Sequence, residues 1–439
     1  MTISIDSTTT PSNGKADKNG VHIKNGSTVS ENNRAVDIGI AVRACDSEAV
    51  PGILKEISSF GTSPPTDLDT TRLELLANAR ALVRALETPR ETMIKHNWAQ
   101  PGCHTAITTC YNAGVFDVLK GGPMTVDEIA KGVGKNREVL ARLLKHISAM
   151  GYVQETGSDE YAPTNFSTAL TIPIIGDGYP CLAGGALRSG LHFHEYMENT
   201  NYATPNAELG PYQDAFDTKM NMFQYMVANP PLGKQFNHHM GGYRQGRPSW
   251  MDPTFYPVEK QLFTGFDTSP DAALLVDIGG SLGHDLEEFR TKYPDAPGRL
   301  VLQDLPEVID TIQHLNPKIE RMSYDFHTEQ PVKAARAYYM HSVLHDWPDE
   351  VCKSILKQIV GAMKPGYSKL LINENVIPDK GADWQATALD MMMLTLFSSK
   401  ERTLNDWHQL LESSEFGLKI VRVWNVQNSQ ESLIECELA

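Results

Sequence analysis

The sequence lacks the long apolar segment that a membrane-spanning helix requires. Crossing a bilayer takes about 20 consecutive apolar residues, and no stretch of this 439-residue chain approaches that length. The first residues contain neither the basic region nor the apolar region of a secretory signal. We therefore expect a cytoplasmic protein that has no membrane partner.

Basic charge and paired cysteines are also scarce. Lys and Arg number 39 against 54 Asp and Glu, a net charge of −15 with His neutral, and such a field repels the phosphates of nucleic acids. The six cysteines form no Cys-x-x-Cys pair and no zinc-finger spacing with His. His238 and His239 also lack an acidic or Cys residue at metal-ligand spacing in the sequence. We expect reduced thiols, no metal and no nucleic-acid partner.

The chain begins with a polar region. Residues 1–34 are mostly Ser, Thr, Asn, Gly, Asp and Lys, a composition that buries too little apolar surface to offset the entropy of ordering. A weak amphipathic pattern between Ala35 and Phe60 predicts at most one short helix. We assign residues 1–60 to a disordered tail that contains this helix at most.

Helical periodicity predominates in the next region, which we delimit as residues 61–165. Apolar side chains recur at three- and four-residue spacings, and Thr125 is placed to cap a helix. The predicted elements are helices at 71–86, 106–119, 126–130 and 138–150 and strands at 152–156 and 160–164. Two helices joined by a turn and followed by a short hairpin are typical of a winged helix.

A winged helix serves either as a DNA-binding module or as a dimerisation scaffold. Helices that recognise DNA are strongly basic, whereas the predicted second helix offers only Arg137, Arg142 and Lys145 beside Glu138. The pattern favours a dimerisation domain, with a DNA-binding regulator as the alternative. Residues 166–250 mix helices with Gly- and Pro-containing loops, and we expect a helical linker or lid that contributes to an acceptor pocket.

Residues 251–439 show the alternating pattern of an α/β domain. Apolar runs rich in strand-forming residues alternate with amphipathic helices. The predicted strands are residues 272–277, 299–304, 337–340, 369–374, 418–424 and 432–438. The predicted helices are residues 282–293, 305–315, 351–363, 384–396 and 404–414. This order predicts a doubly wound, Rossmann-like sheet that is mostly parallel, with an antiparallel last strand at its edge.

A glycine-rich turn follows the first of these strands. In order, it contains Asp277, Gly279, Gly280, Ser281 and Gly283. The dinucleotide pattern GxGxxG would require glycine where Ser281 and His284 stand. Small residues allow the backbone to approach a ligand closely, and an acidic residue suits a cationic ligand. The turn therefore favours S-adenosylmethionine (SAM) over NAD.

Asp304 ends the second predicted strand, in Leu302-Gln-Asp-Leu-Pro. A carboxylate at this position can accept hydrogen bonds from both hydroxyls of a ribose. It can also cap the helix that begins near Pro306, and the two roles are compatible.

His345 follows the predicted strand at 337–340, in the segment Tyr338-Tyr-Met-His-Ser-Val-Leu-His-Asp-Trp. This segment resembles the His-Asp-Trp signature of plant and fungal small-molecule O-methyltransferases of the caffeic-acid type. The glycine turn, Asp304-Leu-Pro and Asp325-Phe326 also match the family, and the likeness covers about residues 72–439.

The resemblance implies a class I methyltransferase fold, SAM as cofactor and a homodimer. It places Asp325 and Phe326 at the adenine and makes His345 the general base, flanked by Glu374 and Glu401. It also places Asn237 near the acceptor. Met391, Met392 and Phe397 lie on a predicted helix after Glu374 and are candidate pocket residues, with packing in the core as the alternative, since Met at helical spacing is more often core.

Two residues depart from the family pattern. Ser281 replaces a glycine, which we expect to be tolerated if its φ is negative. His341 replaces a Lys beside the cofactor, where it can still donate a hydrogen bond. Beside His345, the segment Asp346-Trp-Pro-Asp349 resembles a helix cap, so we predict a scaffold role for Asp346.

The residues favour methyl transfer to a phenol or enol of a secondary metabolite. A phenol has a pKa of about 10 and is a poor nucleophile at neutral pH, so an imidazole that removes its proton assists the reaction. The alternative is a pericyclase that keeps this fold and SAM but steers dehydration or cycloaddition.

Overall fold

The computed structural model describes residues 37–61, 70–243, 246–426, 429 and 431–438. The first 36 residues of the predicted disordered tail lie outside the described residues, as does most of the linker after Gly61. The short helix predicted before Phe60 is present as α1, Val50–Ser59. No helix in the described part of the chain has the length and apolarity to cross a membrane.

Helices and a small sheet form the first half of the described chain. The helices that precede the sheet are α1, α2 (Thr70–Leu86), α3 (Pro89–Ile94), α4 (Gln100–Asn112) and α5 (Val115–Leu119). The next elements are β1 (Met124–Thr125), α6 (Val126–Val133), α7 (Arg137–Ala149), β2 (Gln154–Gly157) and β3 (Glu160–Ala162). Thr125 caps α6 in a reciprocal pair with Glu128. The winged-helix elements predicted from the sequence are therefore present.

The helix predicted over residues 106–119 is wrong as one element, because α4 and α5 are separate. Gly114 lies between them with φ +78°, a left-handed conformation that ends an α-helix and that glycine adopts without strain. The break turns α5 back so that Val115, Phe116 and Leu119 are buried in the core of this region.

Seven helices follow the small sheet. They are α8 (Asn165–Ala169), α9 (Pro173–Gly176), α10 (Gly178–Gly185), α11 (Leu187–Asn199), α12 (Pro211–Phe216), α13 (Met222–Ala228) and α14 (Leu232–Tyr243), as far as the described residues go. His238, on α14, pairs with Asp177 at 2.6 Å, and Asp177 also accepts from the Tyr111 hydroxyl at 2.8 Å. These contacts connect α14 to α4.

The remaining elements form the α/β domain. They are β4 (Ala273–Ile278), α15 (His284–Lys292), β5 (Arg299–Asp304), α16 (Pro306–Ile309), β6 (Ile319–Ser323), β7 (Ala337–His341), α17 (Asp349–Val360), β8 (Lys369–Ile377), α18 (Trp384–Phe397), β9 (Arg402–Thr403), α19 (Leu404–Leu411), β10 (Leu418–Trp424) and β11 (Glu431–Leu438). Within the described residues they build a sheet of order β10-β11-β8-β7-β4-β5-β6, with β9 paired to β8.

The sheet confirms the predicted doubly wound fold with an antiparallel last strand. β11 pairs antiparallel with both β8 and β10, whereas β4, β5, β6, β7 and β8 pair in parallel. The predicted edge position of the last strand is wrong, because β10 is the outer strand. β11 lies between β8 and β10 and is buried over most of its length, whereas most of β10 is at least partly exposed.

Two predictions around β5 also differ from the structure. The helix predicted over 305–315 is helical only in α16, and the chain then returns to the sheet as β6, a strand absent from the prediction. Pro317 disfavours helical backbone at Asn316, and the amide of Asn316 instead donates to Glu287 on α15.

The order of the strands positions the functional site. From β4 the chain adds β5 and β6 on one side, then crosses to β7 on the other side of β4. This reversal leaves a crevice at the carboxyl ends of β4 and β7, where ligands bind in doubly wound sheets. The glycine turn follows β4, and His345 follows β7.

Candidate active site

The loops after β4 and β7 lie against each other. A Cβ atom added at Gly279 would lie 3.0 Å from Cγ2 of Val343 and 4.0 Å from Cε1 of Phe326. The glycine turn, the His345 loop and the segment after β6 therefore meet at the carboxyl edge of the sheet.

The glycine turn is built from left-handed residues. Gly279 and Gly283 have φ of +74° and +83°, and Ser281 between them has φ +52°. The condition set for Ser281, a negative φ, is therefore not met. Its amide donates to Oδ2 of Asp304 at 2.8 Å, and this hydrogen bond connects the turn to β5.

Asp304 closes the turn from the end of β5. Oδ2 accepts the amide of Ser281 and Oδ1 accepts the amide of Leu305, both at 2.8 Å. Burial raises the pKa of this carboxyl, and the two amide hydrogen bonds oppose the rise. Asp304 is not the cap of α16, since the N-cap residue is Leu305. Each carboxylate oxygen keeps a further lone pair for a ligand hydroxyl.

The segment after β6 places an aromatic ring beside the turn. Phe326 packs edge to face against Trp347 with ring centroids 6.0 Å apart. Asp325, just before it, accepts the amide of His327 at 2.9 Å and is exposed. Asp277 is buried at the end of β4.

His341, at the end of β7, is held between two acids. Nδ1 lies 2.8 Å from Asp285 on α15, and Nε2 lies 3.2 Å from Glu431 on β11. Tyr339 donates to the same oxygen of Asp285 at 2.7 Å, and Arg247 donates to Glu431 at 2.8 Å. A hydrogen bond from His341 to a cofactor would therefore displace one of these carboxylates.

His345 lies in a 3-10 turn, Leu344–Asp346, and is buried with two glutamates. Nδ1 of His345 lies 2.7 Å from Oε1 of Glu401 and 3.7 Å from Oε2 of Glu374. Oε1 of Glu374 accepts the amides of Val343 and Leu344 at 3.0 and 2.9 Å. Glu374 thus holds the backbone of the turn, and Glu401 holds the imidazole ring.

The acidic surroundings favour the charged imidazolium. Burial alone would lower the pKa of His345, but the negative charges of Glu374 and Asp346 and the hydrogen bond with Glu401 raise it to about 10. The pKa of Glu374 is raised by burial. The cluster therefore retains a proton at neutral pH.

Asp346 does not cap a helix, and that prediction is wrong. α17 begins at Asp349, and its N-cap residue is Pro348. Asp346 instead lies beside His345, with Oδ1 3.5 Å from Nε2. Burial raises the pKa of Asp346 to about 7. The sequence indicates this contact only in that Asp346 directly follows His345.

The candidate acceptor residues lie on α14 and α18. The ring of Phe397 stacks on Phe223 with centroids 5.3 Å apart, and Phe223 contacts Phe236 edge to face at 5.9 Å. Phe397 and Met392 pack against the apolar cluster formed by α10, α12 and α13. Phe223 could not be identified from the sequence, because no motif marks it.

Asn237 and Met391 have different surroundings from this aromatic group. Asn237 follows Phe236 on α14 and is half-buried. Met391 is 51% exposed on α18, so it faces away from the cluster that Met392 joins. His239 packs against Gly178, where an added Cβ would lie 2.6 Å from the ring.

One cluster among the described residues has the spacing of metal ligands, and it is the same group of His345, Glu374 and Glu401. One ligand atom from each lies within 4.8 Å of the others. The oxygen Oε1 of Glu401 is already at hydrogen-bond distance from the imidazole, and Oε1 of Glu374 accepts two amides. These contacts are those of a hydrogen-bonded triad.

Comparison with known proteins identifies the family of the chain. The model of the O-methyltransferase domain matches residues 205–417, and that of the O-methyltransferase dimerisation domain matches residues 104–172. The O-methyltransferase mpaG of Penicillium brevicompactum is 35% identical over 398 residues, which cover 88% of this chain and 98% of that protein. The O-methyltransferase asqD of Emericella nidulans is 38% identical over 71% of this chain and 80% of that protein.

Solved structures give the same result for the fold. OxaC in complex with SAH and oxaline superposes with a TM-score of 0.79 at 28% identity, over 89% of this chain and 99% of that one. A structure described as a pericyclic reaction enzyme superposes with a TM-score of 0.80 at 29% identity, over 89% of this chain and 100% of that one. Since the sequence match extends over nearly the whole length of a fungal relative, the chain belongs to the O-methyltransferase family.

Proposed function

We propose that the protein transfers a methyl group from SAM to a phenolic or enolic hydroxyl of a small secondary metabolite, with His345 as general base. The observation that carries the proposal is the buried contact between Nδ1 of His345 and Glu401, beside the glycine turn at the crevice of the sheet. The fungal O-methyltransferases among its relatives support the substrate class.

The acceptor hydroxyl loses its proton to Nε2 of His345, the ring nitrogen that Glu401 does not hold. A phenol and this imidazolium have similar pKa values, about 10, so the transfer costs little free energy. Glu401 orients the ring through Nδ1 and stabilises the imidazolium as it forms. A base placed in this way typically increases the rate by about 10²–10⁴-fold.

Asn237, Met391, Met392 and Phe397 are the residues that we propose to line the acceptor pocket.

The loops at the crevice fit SAM. Asp304 retains lone pairs for ribose hydroxyls beside the glycine turn, and Phe326 supplies an aromatic face at the same place. When bound, SAM supplies a methyl group on a positively charged sulfur, activated for transfer to oxygen. We assign to its binding Asp277, Gly279, Gly280, Ser281, Gly283, Asp304, Asp325, Phe326 and His341.

The functional unit that we propose is a homodimer. The matched dimerisation domain supports it, and α2 exposes apolar side chains that a second copy would bury. Leu73, Leu76, Val83 and Leu86 are between 36% and 53% exposed. Sedimentation equilibrium of the full chain tests this, and a monomer at micromolar concentration would contradict it.

Mass spectrometry of reaction products tests the activity. Purified protein is incubated with SAM and a panel of phenols and pyridones, and we expect a product heavier by one methyl group together with equimolar SAH. His345→Ala should lower turnover by at least about tenfold and leave SAM affinity unchanged. His408→Ala removes a surface histidine that pairs with Glu412 and serves as the control. Full activity in His345→Ala would exclude His345 as the general base.

The second candidate is a pericyclase that binds SAM without consuming it. The similarity to a pericyclic reaction enzyme supports it, and a carboxyl whose pKa is raised to about 7 lies beside His345, where it can protonate a leaving hydroxyl. An isomerised or dehydrated product formed equally well with SAH in place of SAM would favour this candidate over methyl transfer.

A further inference from the structure

A buried arginine holds the turn that carries His345. Arg402 is 1% exposed. Its Nη1 donates to the carbonyl of Leu344 at 2.8 Å, and its Nη2 donates to the carbonyl of Trp347 at 2.9 Å. These two carbonyls lie on either side of His345 in the chain.

The same guanidinium is fixed by an acid at the start of the next helix. Nε and Nη2 donate to Oδ1 of Asp349 at 3.0 and 2.7 Å. Nη2 also contacts Sγ of Cys352 at 3.3 Å. Arg402 therefore connects the turn to the first residues of α17.

The turn has little support of its own. Its backbone hydrogen bonds, from Asp346 to Val343 and from Trp347 to Leu344, are both 3.3 Å long, slightly longer than the usual range of about 2.7–3.2 Å for N–H to O bonds. Glu374 holds the amide side of the turn through Val343 and Leu344. Arg402 holds the carbonyl side together with Sγ of Cys352, which lies 3.2 Å from the same two carbonyl oxygens. Of these two side chains only Arg402 carries a charge, so we expect the position of His345 to depend mainly on Glu374 and Arg402.

Arg402 also follows Glu401 directly in the chain. β9 pairs in parallel with β8, with Arg402 opposite Val376, two residues after Glu374. The pairing of β8 with β9 thus fixes the segment in which Glu401, which orients the imidazole, is followed directly by Arg402, which holds the turn. A change at Arg402 would shift the ring relative to Glu401.

We propose that Arg402 is a positioning residue for the reaction, which acts by fixing the His345 turn at the distance from Glu401 that orients the base. The guanidinium is suited to this, since its planar fork donates to two carbonyls and a carboxylate at once. Lysine at this position keeps the charge but donates from a single atom.

Steady-state kinetics of the full-length protein test the proposal. We expect Arg402→Lys and Arg402→Met to lower kcat by at least about tenfold, while the acceptor KM and the SAM dissociation constant change by less than about twofold. Lys333→Gln is the control, because Lys333 pairs with Glu329 at 2.7 Å and is 47% exposed. If Arg402→Met does not fold, Arg402→Lys decides the question.

A second readout is independent of the acceptor and so of the proposed function. In protein labelled with ¹³C at Cε1 of histidine, His345→Ala identifies the His345 signal. We expect Arg402→Lys to move the titration midpoint of His345 toward that of free imidazole by about one pH unit, and Lys333→Gln to leave it in place. Wild-type kcat in Arg402→Lys, or an unchanged His345 titration, would overturn the proposal. A wild-type protein that methylates no acceptor would contradict the proposed function alone.

Discussion

Oδ1 of Asp346 lies 3.5 Å from Nε2 of His345, while Nδ1 of the same ring is 2.7 Å from Oε1 of Glu401. The imidazole thus has an acid at each of its nitrogens. This arrangement stabilises the imidazolium after it has taken a proton, and it makes the neutral base the minor form at pH 7.

The first prediction concerns the dependence of activity on pH. Since the pKa of His345 is raised to about 10, the fraction of neutral base grows as pH rises from 7 toward 10, and kcat/KM for a phenolic acceptor should rise with it. Asp346→Asn removes one of the charges that raise this pKa, so the rising limb should move to lower pH by about one unit. Profiles measured with both proteins check this. If the rising limb of kcat/KM lies at the same pH in both proteins, Asp346 does not raise the pKa of His345.

The second prediction concerns Glu401, the acid that orients the imidazole ring of His345. Glu401→Gln keeps the shape of the side chain but removes the charge that stabilises the imidazolium. A hydrogen bond to a charged group contributes about 1.5–3 kcal/mol, so we expect kcat to fall about 10–100-fold with SAM affinity unchanged. Glu412→Gln, which alters a similar pair with His408 on the surface, is the control. Equal kcat values for the two variants would refute the role of Glu401.

The third prediction follows from the positive φ of Ser281. Glycine adopts this conformation freely, so Ser281→Gly should bind SAM with wild-type affinity. A β-branched residue is strained there by about 1–2 kcal/mol, so Ser281→Val should weaken SAM binding by about 5–30-fold. Isothermal titration calorimetry measures both. Unchanged affinity in Ser281→Val would mean that the turn does not hold this backbone when SAM binds.

The fourth prediction concerns metals. The ligand atoms of His345, Glu374 and Glu401 are close enough to hold a cation, but they form the hydrogen bonds of the triad. Methyl transfer should therefore be unchanged after dialysis against EDTA. Loss of activity that returns on addition of a divalent cation would instead make the cluster a metal site.

Much of the fold could be predicted because burial leaves a pattern in the sequence. Segments such as Ala273–Ile278 are buried along their whole length, and apolar runs of that kind predict strands covered on both faces. Thr125 caps its helix as expected, and Thr403 caps α19 in the same way, since the hydroxyl of each accepts from the amide of the third residue of its helix. The glycine turn and His345 could be located because each follows a predicted strand.

Other features depend on tertiary structure because they join distant parts of the chain. Ser281 has a positive φ and donates its amide to Asp304 on the neighbouring strand, a contact between residues 23 positions apart that hydrophobic periodicity does not predict. The acid beside Nε2 of His345 is Asp346. Its sequence context predicted a helix cap, but the residue lies in a turn that is held by a hydrogen bond from Arg402 to the carbonyl of Leu344. Hydrophobic periodicity reports which side of one element is buried, but strand order and register decide which side chains meet. The sequence alone therefore determined most of the elements and located the candidate base, whereas only the tertiary structure decided which charges surround it.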